Sequence, residues 1–235
     1  MSSLRELKKE VQKNADPKRA VVLRRFFQTG KGEYGHGDEF AGLTVPQSRL
    51  IAKKYHDLPH FDIAELLQSK VHEQRLIALL VLIENFRSGD AAAQKKIVDF
   101  YLQHTACVNN WDLVDVSADK IVGAYLFARP RAVLFQLARS SSLWERRIAI
   151  VATQYFIREN QFDDTLAIAG LLLNDPHDLI HKAVGWMLRE VGKRDQKTLE
   201  QFLNQYASVM PRTMLRSAIE RFPQAKRQRY LRREH

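Results

Sequence analysis

Several kinds of residue are scarce in this chain of 235 residues, and each shortage removes a class of protein. Cysteine occurs once, at Cys107, so no internal disulfide can form. No histidine stands at an obvious partnering spacing, and the thiol is expected to pack as a small apolar group. Long apolar runs are missing: none approaches the roughly 18 uncharged residues that a membrane span needs. The opening stretch MSSLRELKKEVQKN reads as an amphipathic helix without a signal-peptide core, so a cytoplasmic protein is expected. Strand-like alternation of β-branched residues is equally rare, which argues against a sheet. Acidic residues are in deficit, 27 against 37 lysines and arginines, for a formal charge of +10 and a pI near 9.8. Such a balance favours a polyanionic partner; the plainer alternative is that the cations solvate outer helices, and charge alone does not separate DNA from RNA.

What remains is a helical chain. Hydrophobic residues make up 45% and charged residues 27%, the balance of a folded globular protein. Apolar residues recur three and four apart, as in RLIALLVLIENF and TLEQFLNQYASVM, which predicts an all-α fold. Breaks are expected at Asp16-Pro17, across Gly30 to Gly37, and at Leu58-Pro59, Arg129-Pro130, Asp175-Pro176, Met210-Pro211 and Phe222-Pro223.

The second helices of successive pairs align on Ala78, Leu113, Ala149, Ala183 and Ala218, at steps of 35, 36, 34 and 35 residues. Near-equal steps of that length predict a HEAT-like repeat solenoid with a concave basic groove. One domain over residues 1–235 is expected: N-terminal helices and a Gly-rich loop (1–58), repeats (59–222) and a basic C-terminal tail (223–235). Two positions before the anchors stand Leu76, Trp111, Arg147, His181 and Arg216; two positions after stand Leu80, Asp115, Val151, Gly185 and Glu220. Residues four apart share a helix stripe, so Trp111 and Asp115 point the same way. Equivalent positions of stacked repeats are expected to line one surface, with Arg147 beside that pair and Gly185 leaving room next to Trp186.

Two familiar patterns carry little. Gly30, Gly32 and Gly35 spell G-x-G-x-x-G, but the preceding VVLRRFF is helical and no βαβ unit is available, so a loop is expected. His177 and His181 in HDLIH resemble a zinc motif, yet Pro176 puts His177 at a helix start and no third ligand stands at a usual spacing. No metal or other cofactor is predicted. Trp111 and Trp186 taken singly read as core aromatics. Asp115 fits that reading poorly, because its repeat equivalents are Leu80 and Val151 and a buried carboxylate needs a partner. Arg147 supplies one, either as a structural ion pair or as part of a site. In a site, a carboxylate flanked by indoles suits a reaction in which cationic charge develops, such as cleavage of the N-glycosidic bond of an N-alkylated purine.

With NNWDLVD (Asn109 to Asp115), LWERRIAI (Leu143 to Ile150), KAVGWMLRE (Lys182 to Glu190) and the weaker AGLTVPQSRL (Ala41 to Leu50), the chain resembles the AlkD family of HEAT-like repeat DNA glycosylases from about Phe40 to Phe222. The resemblance implies release of N3- and N7-alkylated purines from duplex DNA without strand cleavage. It places the family's catalytic aspartate on Asp115, its partner tryptophan on Trp111, its active-site arginine on Arg147 and its second tryptophan on Trp186. Contacts to DNA are expected from Thr44, Arg49, Arg146, Lys182, Arg189 and Lys193. This chain departs from the family type at Thr44-Val45 before Pro46, and at Asn110, where a second aromatic precedes the tryptophan. The expected protein is a monomer on duplex DNA carrying alkylated purines. The alternatives are a non-catalytic scaffold for branched DNA or structured RNA, and a protein-interaction adaptor.

Overall fold

The computed structural model describes residues 3–232, and among them the all-α expectation holds. The single departure from helix and loop is an isolated parallel bridge between Glu39 and Val71. The chain divides into two compact units, Met1–Ser117 and Ala118–His235.

The first unit contains α1 (Leu4–Lys13), α2 (Pro17–Phe26), α3 (Val45–Lys54), α4 (His60–Leu67), α5 (His72–Ser88), α6 (Ala91–Gln103) and nearly all of α7 (Trp111–Ala118). Helix α5 is buried almost all round and packs against α1, α3, α4 and α6, which makes it the unit's central post. The second unit opens with a π-helical turn (Asp119–Gly123) and continues through α8 (Ala124–Leu126), α9 (Ala132–Ala138), α10 (Leu143–Ala152), α11 (Gln154–Arg158), α12 (Asp163–Leu171), α13 (Asp178–Arg194), α14 (Gln196–Tyr206), α15 (Arg212–Ala218) and α16 (Gln224–Leu231). Its central post is α13, which packs against α10, α11, α12, α14 and α15.

Helix starts follow from local chemistry. Asp16 accepts hydrogen bonds from the amides of Lys18 and Arg19 with Pro17 at the first helical position, and Asp90, Ser142 and Asp195 cap α6, α10 and α14 through their side-chain oxygens. Every proline stands before a helix or in its first turn. A missing N–H is harmless there and would break a helix interior.

The repeat register is borne out. Its five anchors fall in α5, α7, α10, α13 and α15, each preceded by the first helix of its pair (α4, α6, α9, α12, α14), and all five are buried to within 1% of complete coverage. The flanking positions are less uniform than the register predicted. Leu76, Leu80, Arg147, Val151 and Gly185 are buried, Trp111, Asp115 and His181 are half-buried, and Arg216 and Glu220 are exposed.

Gly185 corrects one expectation. A Cβ there would lie 2.6 Å from the Met214 carbonyl oxygen and 2.6 Å from Ser217 Cβ, so its space is filled by the close approach of α15 and is not left for a ligand. Within the basic tail, residues 224–231 form α16, with Tyr230 buried against Phe222 at 5.9 Å between ring centroids. Residues 233–235 lie outside the described part.

Candidate functional site

Trp111 opens α7. Asn110, fully buried, accepts the Trp111 amide at 2.8 Å through Oδ1 and donates through Nδ2 to Asp38 at 3.3 Å, so the residue that departs from the family type here fixes the helix start. Trp111 and Asp115 follow one turn apart on one stripe, both half-buried. The indole lies on Phe27 at 5.3 Å and 25°, and meets Phe26 edge-on at 5.8 Å. Phe27 in turn stacks on Phe40 at 5.1 Å, and the His72 imidazole lies against both phenylalanines at 4.9 and 4.8 Å. Contacts of this kind add about 0.5–1.5 kcal/mol each beyond area burial, so the slab holds Trp111 in one place.

Under the slab runs a buried polar network. His72 is 3% exposed, with Nε2 2.8 Å from Asp112 Oδ2 and Nδ1 3.4 Å from Asp38 Oδ2. Arg75 pairs with Asp38 at 2.7 Å and donates to the carbonyls of Ser69 and Lys70. Burial disfavours the imidazolium of His72, but its hydrogen bonds to Asp112 and Asp38 outweigh that penalty and hold its pKa above the ordinary value. Burial likewise works against the Asp38 carboxylate; His72 and Arg75 overcome it and keep that pKa low. Beside this network Glu73, also buried, accepts the amides of Ala41, Gly42 and Leu43 at 2.9, 2.7 and 3.1 Å. Gly42 reaches this carboxylate with φ +89°, and a Cβ on it would lie 2.1 Å from the Asp16 carbonyl oxygen.

In the second unit Arg147, 5% exposed, donates from Nη1 to the Leu179 carbonyl of α13 at 2.6 Å. Trp186, half-buried on α13, donates its indole N–H to Glu190 at 3.2 Å, and Glu190 also binds Lys193 at 2.7 Å. Arg189 pairs with Glu220, and Arg146 pairs with Asp175 at 2.5 Å while also holding the carbonyls of Ser140 and Ser141. Arg131, which the sequence did not single out, pairs with Asp164 at 2.5 Å. These three arginines tie successive helix pairs together.

Lys182 is exposed and reaches Asp178 on the same helix at 2.8 Å, a contact that holds the Asp178 carboxyl below its usual range. In the first unit Arg49 is exposed on α3, and the Thr44 hydroxyl is engaged in a reciprocal cap with Gln47 at the start of that helix. The two histidines of HDLIH serve backbone geometry: His177 Nδ1 accepts the Leu179 amide at 3.1 Å and His181 Nε2 lies 2.5 Å from the Asp175 carbonyl oxygen. Among the described residues no cluster of three or more histidine, cysteine or acidic side chains is arranged to hold a metal.

The sequence singled out Trp111 and Asp115 but not Phe27, Phe40, Asp38, His72 and Asp112, which the structure gathers around Trp111 and the start of α7. Asp112 stands inside NNWDLVD, yet its partner is 40 residues earlier, and no periodicity joins the two.

Stacked helix pairs in a 35-residue register, with a half-exposed indole and a carboxylate on one repeat helix, define a HEAT-like helical-repeat protein with a candidate site on its repeat face. The chain belongs to the DNA alkylation repair enzyme family, whose model matches residues 7–222. It is similar in structure to a predicted DNA alkylation repair enzyme from Enterococcus faecalis, with a TM-score of 0.68, 17% identity and coverage of 90% of this chain and 98% of the other. It is also similar to AlkD2 from Streptococcus mutans, with a TM-score of 0.58, 16% identity and coverage of 93% and 99%. At that identity the likeness shows the fold. No curated protein sequence matches the chain at a significant level. No helix among the described residues is long and apolar enough to cross a membrane.

Proposed function

We propose that this DNA alkylation repair protein is a monofunctional glycosylase that hydrolyses the N-glycosidic bond of cationic N3- or N7-alkylated purines in duplex DNA. The observation that carries the reading is the pairing on α7: an indole fixed on an aromatic slab, and one turn later a half-buried carboxylate. As the bond breaks, its electron pair leaves with the purine and neutralises the ring, while positive charge passes to the sugar as an oxocarbenium ion. Asp115 stabilises that charge and orients the water that adds at C1′. Trp111 holds the cationic base or sugar through its π face, worth on the order of 1 kcal/mol. In the second unit Arg147 is assigned to a backbone phosphate near the lesion and Trp186 to a second indole contact. Because the leaving base already carries positive charge, the reaction needs no metal or other cofactor. No lysine takes the nucleophile's place, so the strand stays intact.

The test is release of N7-methylguanine from a duplex under single-turnover conditions. Asp115→Asn should slow release about 10²–10³-fold, as loss of one electrostatic stabiliser does. Binding without release of any alkylated base would favour the non-catalytic scaffold instead.

A further inference from the structure

The His72 network touches the proposed site at two points. Asp112 lies beside Trp111 in the first turn of α7 and accepts from His72 Nε2, while Phe27 stacks on the Trp111 indole and lies tilted against the His72 ring. On the other side Asp38 faces His72 Nδ1 and also receives Asn110, whose Oδ1 accepts the Trp111 amide. Nε2 thus faces a carboxylate at 2.8 Å, while Nδ1 lies 3.4 Å from both Asp38 Oδ2 and Arg75 Nη2, and a neutral imidazole can donate to only one of the two carboxylates. The charged groups around His72 are Asp38 from the loop before α3, Asp112 from α7 and Arg75 from α5 itself; Phe27 and Phe40 cover the ring.

We infer that His72, clamped with both nitrogens protonated between Asp38 and Asp112, is a positioning residue that sets Trp111 and the first turn of α7. The Trp111–Asp115 site is then competent only while His72 keeps its second proton. The link to chemistry rests on the glycosylase reading; the link to Trp111 does not. Since the His72 pKa is raised, its ordering effect is complete below the usual imidazole value and is lost as pH rises through the higher folded value.

Two measurements on the full chain test this. In a Trp144→Phe/Trp186→Phe background Trp111 is the sole indole, and its fluorescence should titrate with a midpoint above that of an exposed histidine. His72→Gln should abolish this titration. Asp112→Asn, which removes one of the two carboxylates, should move the midpoint down by about one pH unit even if the His72 variant does not fold. In parallel, the rate of N7-methylguanine release should fall on the alkaline side with the same midpoint in the unaltered protein, and Asp112→Asn should shift that limb by the same amount. A merely structural network would lower thermal stability and leave the limb in place. A titration that survives in His72→Gln, or midpoints unmoved in Asp112→Asn, overturns the proposal. Absence of base release by the unaltered protein, together with a fluorescence midpoint that still moves, sinks the glycosylase reading while establishing that His72 sets Trp111.

Discussion

The two units solve the same packing problem with different uses of charge. The first holds 17 lysines and arginines against 15 acidic residues and places a group of them inside, with Asp38, His72, Glu73 and Arg75 all nearly covered. The second holds 20 against 12, and so carries most of the basic excess. Its ties between helix pairs run through partly exposed arginines: Arg131 to Asp164, Arg146 to Asp175 and Arg189 to Glu220. The difference follows the backbone. In the first unit an irregular segment from Thr29 to Thr44 separates α2 from α3, and its amides and carbonyls need partners that no helix supplies. The buried Glu73 carboxylate provides them for Ala41, Gly42 and Leu43. In the second unit the connections are short, Ser142, His177 and Asp195 cap three of its helices, and apart from the buried Arg147 its described cations stay at least partly exposed, where a polyanion can reach them.

Four substitutions would break or sharpen this contrast. The largest effect is expected from Glu73→Ala, which strips three backbone amides of their acceptor and leaves them buried; about 3–5 kcal/mol of stability should be lost in urea unfolding, with faster amide exchange at Ala41, Gly42 and Leu43. A loss under about 1 kcal/mol would mean that the segment is held by something other than the buried carboxylate. Gly185→Ala should cost about 1–3 kcal/mol, because the new methyl meets backbone atoms of α15 that cannot rotate away. If the melting curve is unchanged, α13 and α15 are less tightly apposed than their geometry implies. The smallest effect is expected from Lys182→Ala: stability within about 0.5 kcal/mol, but a duplex-binding salt slope reduced by about 0.9 if Lys182 neutralises one phosphate. Arg146→Ala should do the opposite, losing stability with little change of slope, because that guanidinium is already engaged by Asp175, Ser140 and Ser141.

These expectations show how unevenly the sequence could be read. The 35-residue register found five helix pairs and five buried anchors because stacking repeats its demands at fixed intervals along the chain. Trp111 and Asp115 were legible for the same reason, standing at register positions where neighbouring repeats carry Leu76, Arg147, Leu80 and Val151. Arg146 and Arg189 were legible as cations, but sequence does not say whether a cation faces solvent or an internal acid; here each has an acidic partner about 30 residues away.

By itself, then, the sequence determined a helical repeat protein, the spacing of its pairs, and an indole and a carboxylate on one stripe of α7. All of that is periodic, and a period is written in the chain. Only the tertiary structure decided that Gly185 admits a helix, that Asn110 pins the start of α7, and that Asp38, His72 and Asp112 meet beneath Phe27 and Trp111. The contacts of Asp38, Asp112 and Phe27 around His72 and Trp111 join segments 34 to 84 residues apart at one point each. A single meeting of distant segments repeats nowhere, and so leaves no pattern to read.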